Sequence, residues 1–170
     1  MKSDLLPSTA RDQLNLVLDF FHRVDAKASV VLAVDTGMAG YLASHLPSLK
    51  AMPIWQMLAP LLTFGLLGQS FWHLYKGAFP NLEGGNLSLV YFREIAKRTE
   101  AKFIDEFLAQ SESEYTKDVL GQVWRNSQIL AGKFGRVKLA FIFMALAVFP
   151  WVISLAQFTV QRASLAPQLP

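Results

Sequence analysis

The sequence predicts an all-α membrane protein: three transmembrane helices with a cytoplasmic helical bundle. Three observations carry that expectation. The 170 residues are 52% apolar but only 17% charged, against about a quarter charged in ordinary soluble domains. Residues 139–160 and 54–75 are two runs of 22 with no Asp, Glu, Lys or Arg, each long enough for a hydrocarbon core about 30 Å thick. In the charged remainder, apolar residues return at helical rather than strand spacing. This balance excludes a disordered or nucleic-acid-coating chain. With no cysteine, it also excludes a disulfide framework, a thiolate zinc centre and a cysteine nucleophile.

Residues 1–27 read as a cytoplasmic helix, with Thr9 and Asp12 at its start and Leu14, Val17, Leu18 and Phe21 on one face. It continues into a first span at 28–46. Nothing at the start reads as a signal peptide, because a charged stretch precedes the apolar one. Asp25 and Lys27 mark the inner membrane boundary. Lys27 is suited to snorkel toward headgroups while Asp25 pairs with a cytoplasmic helix, and a gating role for the pair is the other reading. Asp35 lies inside the span, where a carboxylate costs about 2.5–3.5 kcal/mol on insertion scales and so faces protein or water. Ala33, Gly37, Gly40 and Ser44 form a stripe of small residues that permits close helix approach. At 100° per residue Asp35 lies about 200° around from Ala33, so the span needs protein on both sides. One reading is a homo-oligomer in which Asp35 faces a polar interior or another subunit. The other is a protonated Asp35 bonded within its own bundle.

The second span, 54–75, completes a hairpin over 28–78, with Trp55 near its outer end and Trp72 and Tyr75 near its inner end as aromatic belts. Pro60 and Pro150 favour kinks in the second and third spans. Residues 79–138 form the cytoplasmic helical region. Pro80, Gly84 and Gly85 mark a turn-rich connection, and Phe92, Ile95, Ala96, Thr99, Phe103 and Phe107 recur at helical spacing. Ser111 with Glu114 forms a capping box, followed by Tyr115, Val119, Leu120, Val123, Leu130 and Phe134 on one face. Nothing breaks that helix before the third span at 139–160, and 161–170 is an outer tail. Fourteen of the sixteen Lys and Arg residues fall on the side of the N-terminus and the 79–138 segment. The positive-inside rule therefore places both in the cytoplasm and the C-terminus outside.

Catalysis finds no footing. His22, His45 and His73 fall at three different levels and cannot share a metal, and neither a Gly-rich phosphate loop nor a nucleophile elbow is present. The expectation is a protein without enzyme activity, metal or cofactor.

Three strings carry a family resemblance: RVDAKASVVLAVDTGMAGYL at 23–42, YFREIAKRTEAKFIDEF at 91–107 and DVLGQVWRNSQILAGKF at 118–134. The Asp25, Lys27, Ala28, Ser29 block is the most specific, followed by Asn126 with Ser127 and Lys133 with Phe134. Together they resemble the transmembrane effectors of Pycsar, the bacterial pyrimidine-cyclase antiphage systems, over about residues 14–148. The resemblance implies that a separate partner cyclase makes a cyclic pyrimidine nucleotide, cCMP or cUMP, on infection. The effector would sense it and impair the inner membrane, killing the cell. A receptor for such a ligand uses Arg or Lys for the phosphate and amide or carboxylate side chains for the base. Arg93, Lys97, Asp118, Arg125, Asn126 and Lys133 are of those types, and each basic residue has a second reading as a solvated or lipid-attracted surface charge. Trp124 is of a type that stacks on a base, or else belongs to the bundle core. The partners implied are the bilayer, the nucleotide and further copies of the chain, with no nucleic acid. A ligand-independent, holin-like pore former and an accessory subunit of a channel or transporter are the alternatives.

Overall fold

The computed structural model describes residues 5–46, 53–80 and 85–165, and among them helices are joined by turns and loops, with no strand. Lys2, Lys50, Gly84 and the last residues of the tail, all used in the expectations above, lie outside the described residues. The order is α1 (Leu5–His45), α2 (Ile54–Ala78), α3 (Phe92–Ile95), α4 (Glu100–Ala109) and α5 (Glu112–Leu165).

Helix α1 begins four residues earlier than Thr9. Pro7 falls in its first turn, where a missing N–H is harmless and the fixed φ suits the helix. The continuous apolar periodicity from Phe92 to Phe107 is interrupted. Helix α3 stops after one turn, and Thr99 adopts extended backbone and caps α4 by accepting from the Lys102 amide. Arg98 causes the interruption, because its guanidinium donates to the carbonyls of Leu87, Ser88 and Glu94 and to the Glu106 carboxylate. The Ser111–Glu114 box is present in both directions, with Glu114 Oε2 accepting from the Ser111 amide at 2.9 Å and Ser111 Oγ from the Glu114 amide at 3.3 Å. The Ser111 hydroxyl, which donates to Glu114 Oε2 at 2.7 Å, and then the Ser111 amide hold the Glu114 carboxyl below its ordinary pKa. Helix α5 then runs unbroken for 54 residues.

The chain divides into two compact units. Unit 1 is Met1–Val24 with Pro80–Lys133, and unit 2 is Asp25–Phe79 with Phe134–Pro170.

In unit 2, three core layers each gather side chains from the helices at hand: Val31, Leu74 and Ala140; Met38, Leu67 and Ala147; Leu42 and Phe158. The first two layers are seven residues apart on each helix, and the third follows after four on α1 and eleven on α5, the spacings of left-handed bundle packing. Pro60 and Pro150 are both accommodated within their helices, and the Ser154 hydroxyl donates to the carbonyl of Pro150. The outside of this unit is its apolar side. Val30, Leu32 and Val34 on α1, Ile54, Leu58, Leu61 and Leu62 on α2, and Phe141, Phe149, Val152 and Ile153 on α5 are all exposed. One described helix, 112–162, is long and apolar enough by length and composition to cross a membrane. Its most apolar window has a mean hydropathy of 2.4, and only 22% of that window is buried.

Asp35 is fully buried, and its Oδ2 is hydrogen-bonded to the Ser70 hydroxyl of α2. Its burial is therefore met within one chain and does not call for a second subunit. Gly37 and Gly40 face away, and a Cβ added to either would meet nothing within 4 Å.

Candidate functional site

In unit 1, a short loop is folded onto one face of α5. Residues Asp118, Gln122 and Arg125 recur at i, i+4 and i+7 and so share that face. Asp118 accepts from the Leu89 amide at 2.8 Å, and Gln122 donates to the Ser88 hydroxyl at 3.1 Å. Ser88 Oγ also accepts from the amides of Val90 and Tyr91, closing the loop into α3.

The loop's backbone is unusual at two places. Gly85 has φ +74° and Leu87 φ +64°. The left-handed region is open to glycine but costs a residue with a Cβ about 1–2 kcal/mol. Leu87 is held there from both ends, since its amide donates to Glu94 Oε2 at 3.2 Å and its carbonyl accepts from Arg98 at 2.9 Å. Glu94 is buried and also bonded to the Lys97 ammonium. Lys97 first, then the Leu87 amide and the nearby Arg98, hold the Glu94 carboxyl below its ordinary value.

Arg125 is the residue this arrangement leaves unsatisfied. Its guanidinium lies 5.9 Å from the centre of the Tyr91 ring. Its Nη1 is buried with no hydrogen-bond partner, although a guanidinium offers five donors in a fixed fork. The nitrogen occupies the space a side chain at position 85 would take: a Cβ on Gly85 would lie 2.5 Å from it and 2.9 Å from the Tyr91 ring. An unsatisfied cation beside an aromatic ring has the chemistry to receive a phosphate and stack a base.

Of the six predicted binding residues, Asp118 and Arg125 come together at this loop. Asn126 follows on the next position of α5, half-buried. Asp118 is spent on the Leu89 amide, a structural role. Lys97 is engaged with Glu94, and Arg93 is exposed on α3; neither joins the cluster. Lys133 is buried with its ammonium 5.7 Å from the Phe21 ring of α1, a separate place in the unit. Trp124 is exposed, so it is not core. In unit 2, Lys27 sits over the Phe134 ring at 5.1 Å, and the Asp25 carbonyl accepts from Ser29. Sequence reasoning missed Gly85, Ser88, Tyr91 and Gln122. Of these only Gly85 carried a signal, as a turn residue. Among the described residues no group of His, Cys, Asp or Glu is placed to hold a metal ion.

The architecture defines a class first: an all-helical protein with a membrane-length apolar helix and a separate polar helical unit. Comparison with known families then places it. Residues 9–159 match the Pycsar effector protein domain, and the chain belongs to that family. It is accordingly an effector of Pycsar antiphage defence, a system that works with a cyclase. Comparisons with curated proteins and with solved structures return no match.

Proposed function

We propose that this effector senses a cyclic pyrimidine nucleotide, cCMP or cUMP, made by a separate cyclase, and responds by impairing the bacterial inner membrane. The observation that carries the reading is the inverted construction of unit 2. All three of its helices put large apolar side chains outside, while the interior sets the polar Asp35, Thr63, Ser70 and Ser154 among its apolar layers, a distribution stable in lipid and unfavourable in water. On this reading the segments 28–46, 54–75 and 139–160 all span the bilayer, with the N-terminus and residues 79–138 cytoplasmic and the C-terminus outside. The exposed rings of Trp55, Trp72 and Tyr75 at the ends of α2, with Lys76 over Trp72 at 5.0 Å, suit the two interfaces.

The receptor is then unit 1, and the Arg125–Tyr91 cluster is its proposed anchor for phosphate and base. The protein binds and transduces without catalysis. The open stripe of Ala33, Gly37, Gly40 and Ser44 is the surface on which copies of the chain would associate. Calorimetric titration of the detergent-solubilised chain with cCMP, cUMP, cAMP and cGMP tests the sensor. Saturable binding of one pyrimidine, silent purines, and loss of at least tenfold in affinity in Arg125→Ala are expected. No binding of any of the four by folded protein would refute the sensor and favour a ligand-independent pore former.

A further inference from the structure

The interior of unit 2 carries a pattern that nucleotide sensing does not use. On α2, Gln56, Thr63, Ser70 and Gly77 follow one another every seventh residue, and on α5 so do Ala140, Ala147, Ser154 and Gln161. Every one is buried or half-buried. Thr63, Ser70 and Ser154 have no accessible surface, and neither does Asp35, which α1 adds at the Ser70 level. Gly77, Ala140 and Ala147 carry no polar side chain, so the polar groups form a line from Gln56 and Gln161 through Thr63 and Ser154 to Asp35 and Ser70, inside a bundle whose outside is apolar.

At the Asp35 level the hydrogens must be counted. Ser70 Oγ contacts Asp35 Oδ2 and also lies 3.0 Å from the Ala140 carbonyl. A serine hydroxyl has one hydrogen, and a carbonyl and a carboxylate both only accept. The three groups balance when Asp35 carries a proton, donates to Ser70, and Ser70 donates to Ala140. The cations nearest in sequence to this level, Lys76, Arg136 and Lys138, are all exposed, and no ion pair to Asp35 exists among the described residues. The other carboxyl oxygen, Oδ1, is buried with no partner. One turn along α2, His73 stacks on Phe143 at 5.4 Å, and its Nδ1 is likewise buried without a partner.

We infer that this line is a proton path through the interior of the chain's own bundle, with Asp35 as the group that takes up and releases the proton. The inference rests on the membrane-impairing reading and says what crosses. Hydroxyl, carboxyl and imidazole groups each both donate and accept, as a relay requires. A permeating metal ion would instead need open rings of oxygens to replace its hydration shell, and the oxygens gathered at the Asp35 level, those of Asp35, Ser70 and the Ala140 carbonyl, are bonded to one another. Successive levels are about 10 Å apart at 1.5 Å per residue, and Leu67, Leu74 and Met38 fill the intervals. The path is therefore interrupted in this conformation and conducts when water enters between levels. In one turnover the Asp35 carboxyl gives its proton to a water on one side and regains one at its carboxylate from the other. No electron moves, and the only bonds made or broken are O–H bonds and, at His73, N–H bonds.

The test uses the full chain in liposomes under an imposed pH gradient with valinomycin and potassium. One set encloses a pH-sensitive dye and a second encloses carboxyfluorescein at self-quenching concentration. cCMP and cUMP are added in separate arms to wild type, Asp35→Asn and Ser70→Ala. The expected result is nucleotide-triggered proton flux in wild type, reduced at least tenfold in Asp35→Asn and lowered in Ser70→Ala. Nucleotide binding should be unchanged and carboxyfluorescein retained throughout. Equal proton flux in wild type and Asp35→Asn would overturn the inference while leaving the membrane reading intact, as would release of carboxyfluorescein as fast as protons. Nucleotide binding with no flux of either kind would refute the membrane reading, and this inference with it. Should both variants fail to fold, the infrared carbonyl band of a buried carboxylic acid in the wild-type chain decides, and its absence overturns the inference.

Discussion

Replacing Gly85 with alanine isolates what the candidate receptor needs from its backbone. Two costs follow from the geometry. At φ +74° the new Cβ incurs about 1–2 kcal/mol of left-handed strain. It also meets Arg125 Nη1 at 2.5 Å, the Tyr91 ring at 2.9 Å and Gln122 Nε2 at 3.3 Å. The Arg125 tip is the end of a flexible side chain and can swing away at little cost. Tyr91 is buried, so its ring cannot yield as readily. Stability should therefore fall by more than the strain alone, beyond about 2 kcal/mol, and nucleotide affinity should fall at least tenfold because Arg125 has left its place. Denaturant titration and calorimetry measure the two effects separately. The combination with Arg125→Ala sharpens the test, since Gly85→Ala should then lower stability as before but change residual affinity hardly at all. Additive losses of affinity in the double variant would refute the claim that Gly85 acts through Arg125. Wild-type stability in Gly85→Ala would refute the strain argument.

Three further outcomes are expected. The Glu94 carboxyl is held below its usual 4.5 by Lys97 and the Leu87 amide, so the support it gives the loop is fully present above that value and is lost as pH falls through the lowered one. Limited proteolysis of the loop as pH falls below 4.5 should show an acid step that Glu94→Gln removes; an identical step in that variant excludes Glu94 as its origin. Ser111→Ala should cost about 1 kcal/mol through loss of the cap on α5, read as faster amide exchange confined to 112–115. Gly37→Leu, on the open stripe of α1, should abolish chemically cross-linked dimers in membranes without changing helicity; persistent cross-linking would exclude that stripe as an interface.

The parts of this protein legible in its sequence are those set by neighbouring residues. The charge-free runs predict helices because lipid-facing backbone has no alternative, and the Ser111–Glu114 box is legible because both partners lie within one turn. The break at Ala96–Thr99 was not. Thr99 sits on the same periodic positions as Phe92 and Phe103, and what ends α3 is Arg98 reaching carbonyls up to eleven residues back. Arg125 could be singled out by charge alone. Tyr91 and Gln122 could not, because their roles come from contacts across 34 residues or so, and nothing near either one announces them. The stripe geometry did separate Asp35 from Gly37 and Gly40. It could not show that Ser70, half the hairpin away, supplies the partner.

The energetics of unit 2 bear on how such a protein switches. On the membrane-spanning reading proposed above, the exposed side chains of α1, α2 and α5 are equally well solvated in lipid whether or not the helices associate, so burial of apolar surface does not hold the bundle together. What remains is close packing and a few interhelical bonds: Asp35 to Ser70, Ser70 to the Ala140 carbonyl, and Trp151 Nε1 to the Met38 carbonyl at 3.1 Å. Such bonds average about 0.6 kcal/mol each in membrane proteins, a total of roughly 2 kcal/mol. Inverting a two-state equilibrium from 1:99 to 99:1 takes about 5.5 kcal/mol of differential binding. A messenger bound at micromolar affinity has about 8 kcal/mol in all, so a full inversion draws on roughly two-thirds of it, a preference of about 10⁴-fold for one arrangement of the helices. Few bonds between helices leave the bundle easy to rearrange. A protein that must stay silent until infection gains more from that than from a tightly locked core.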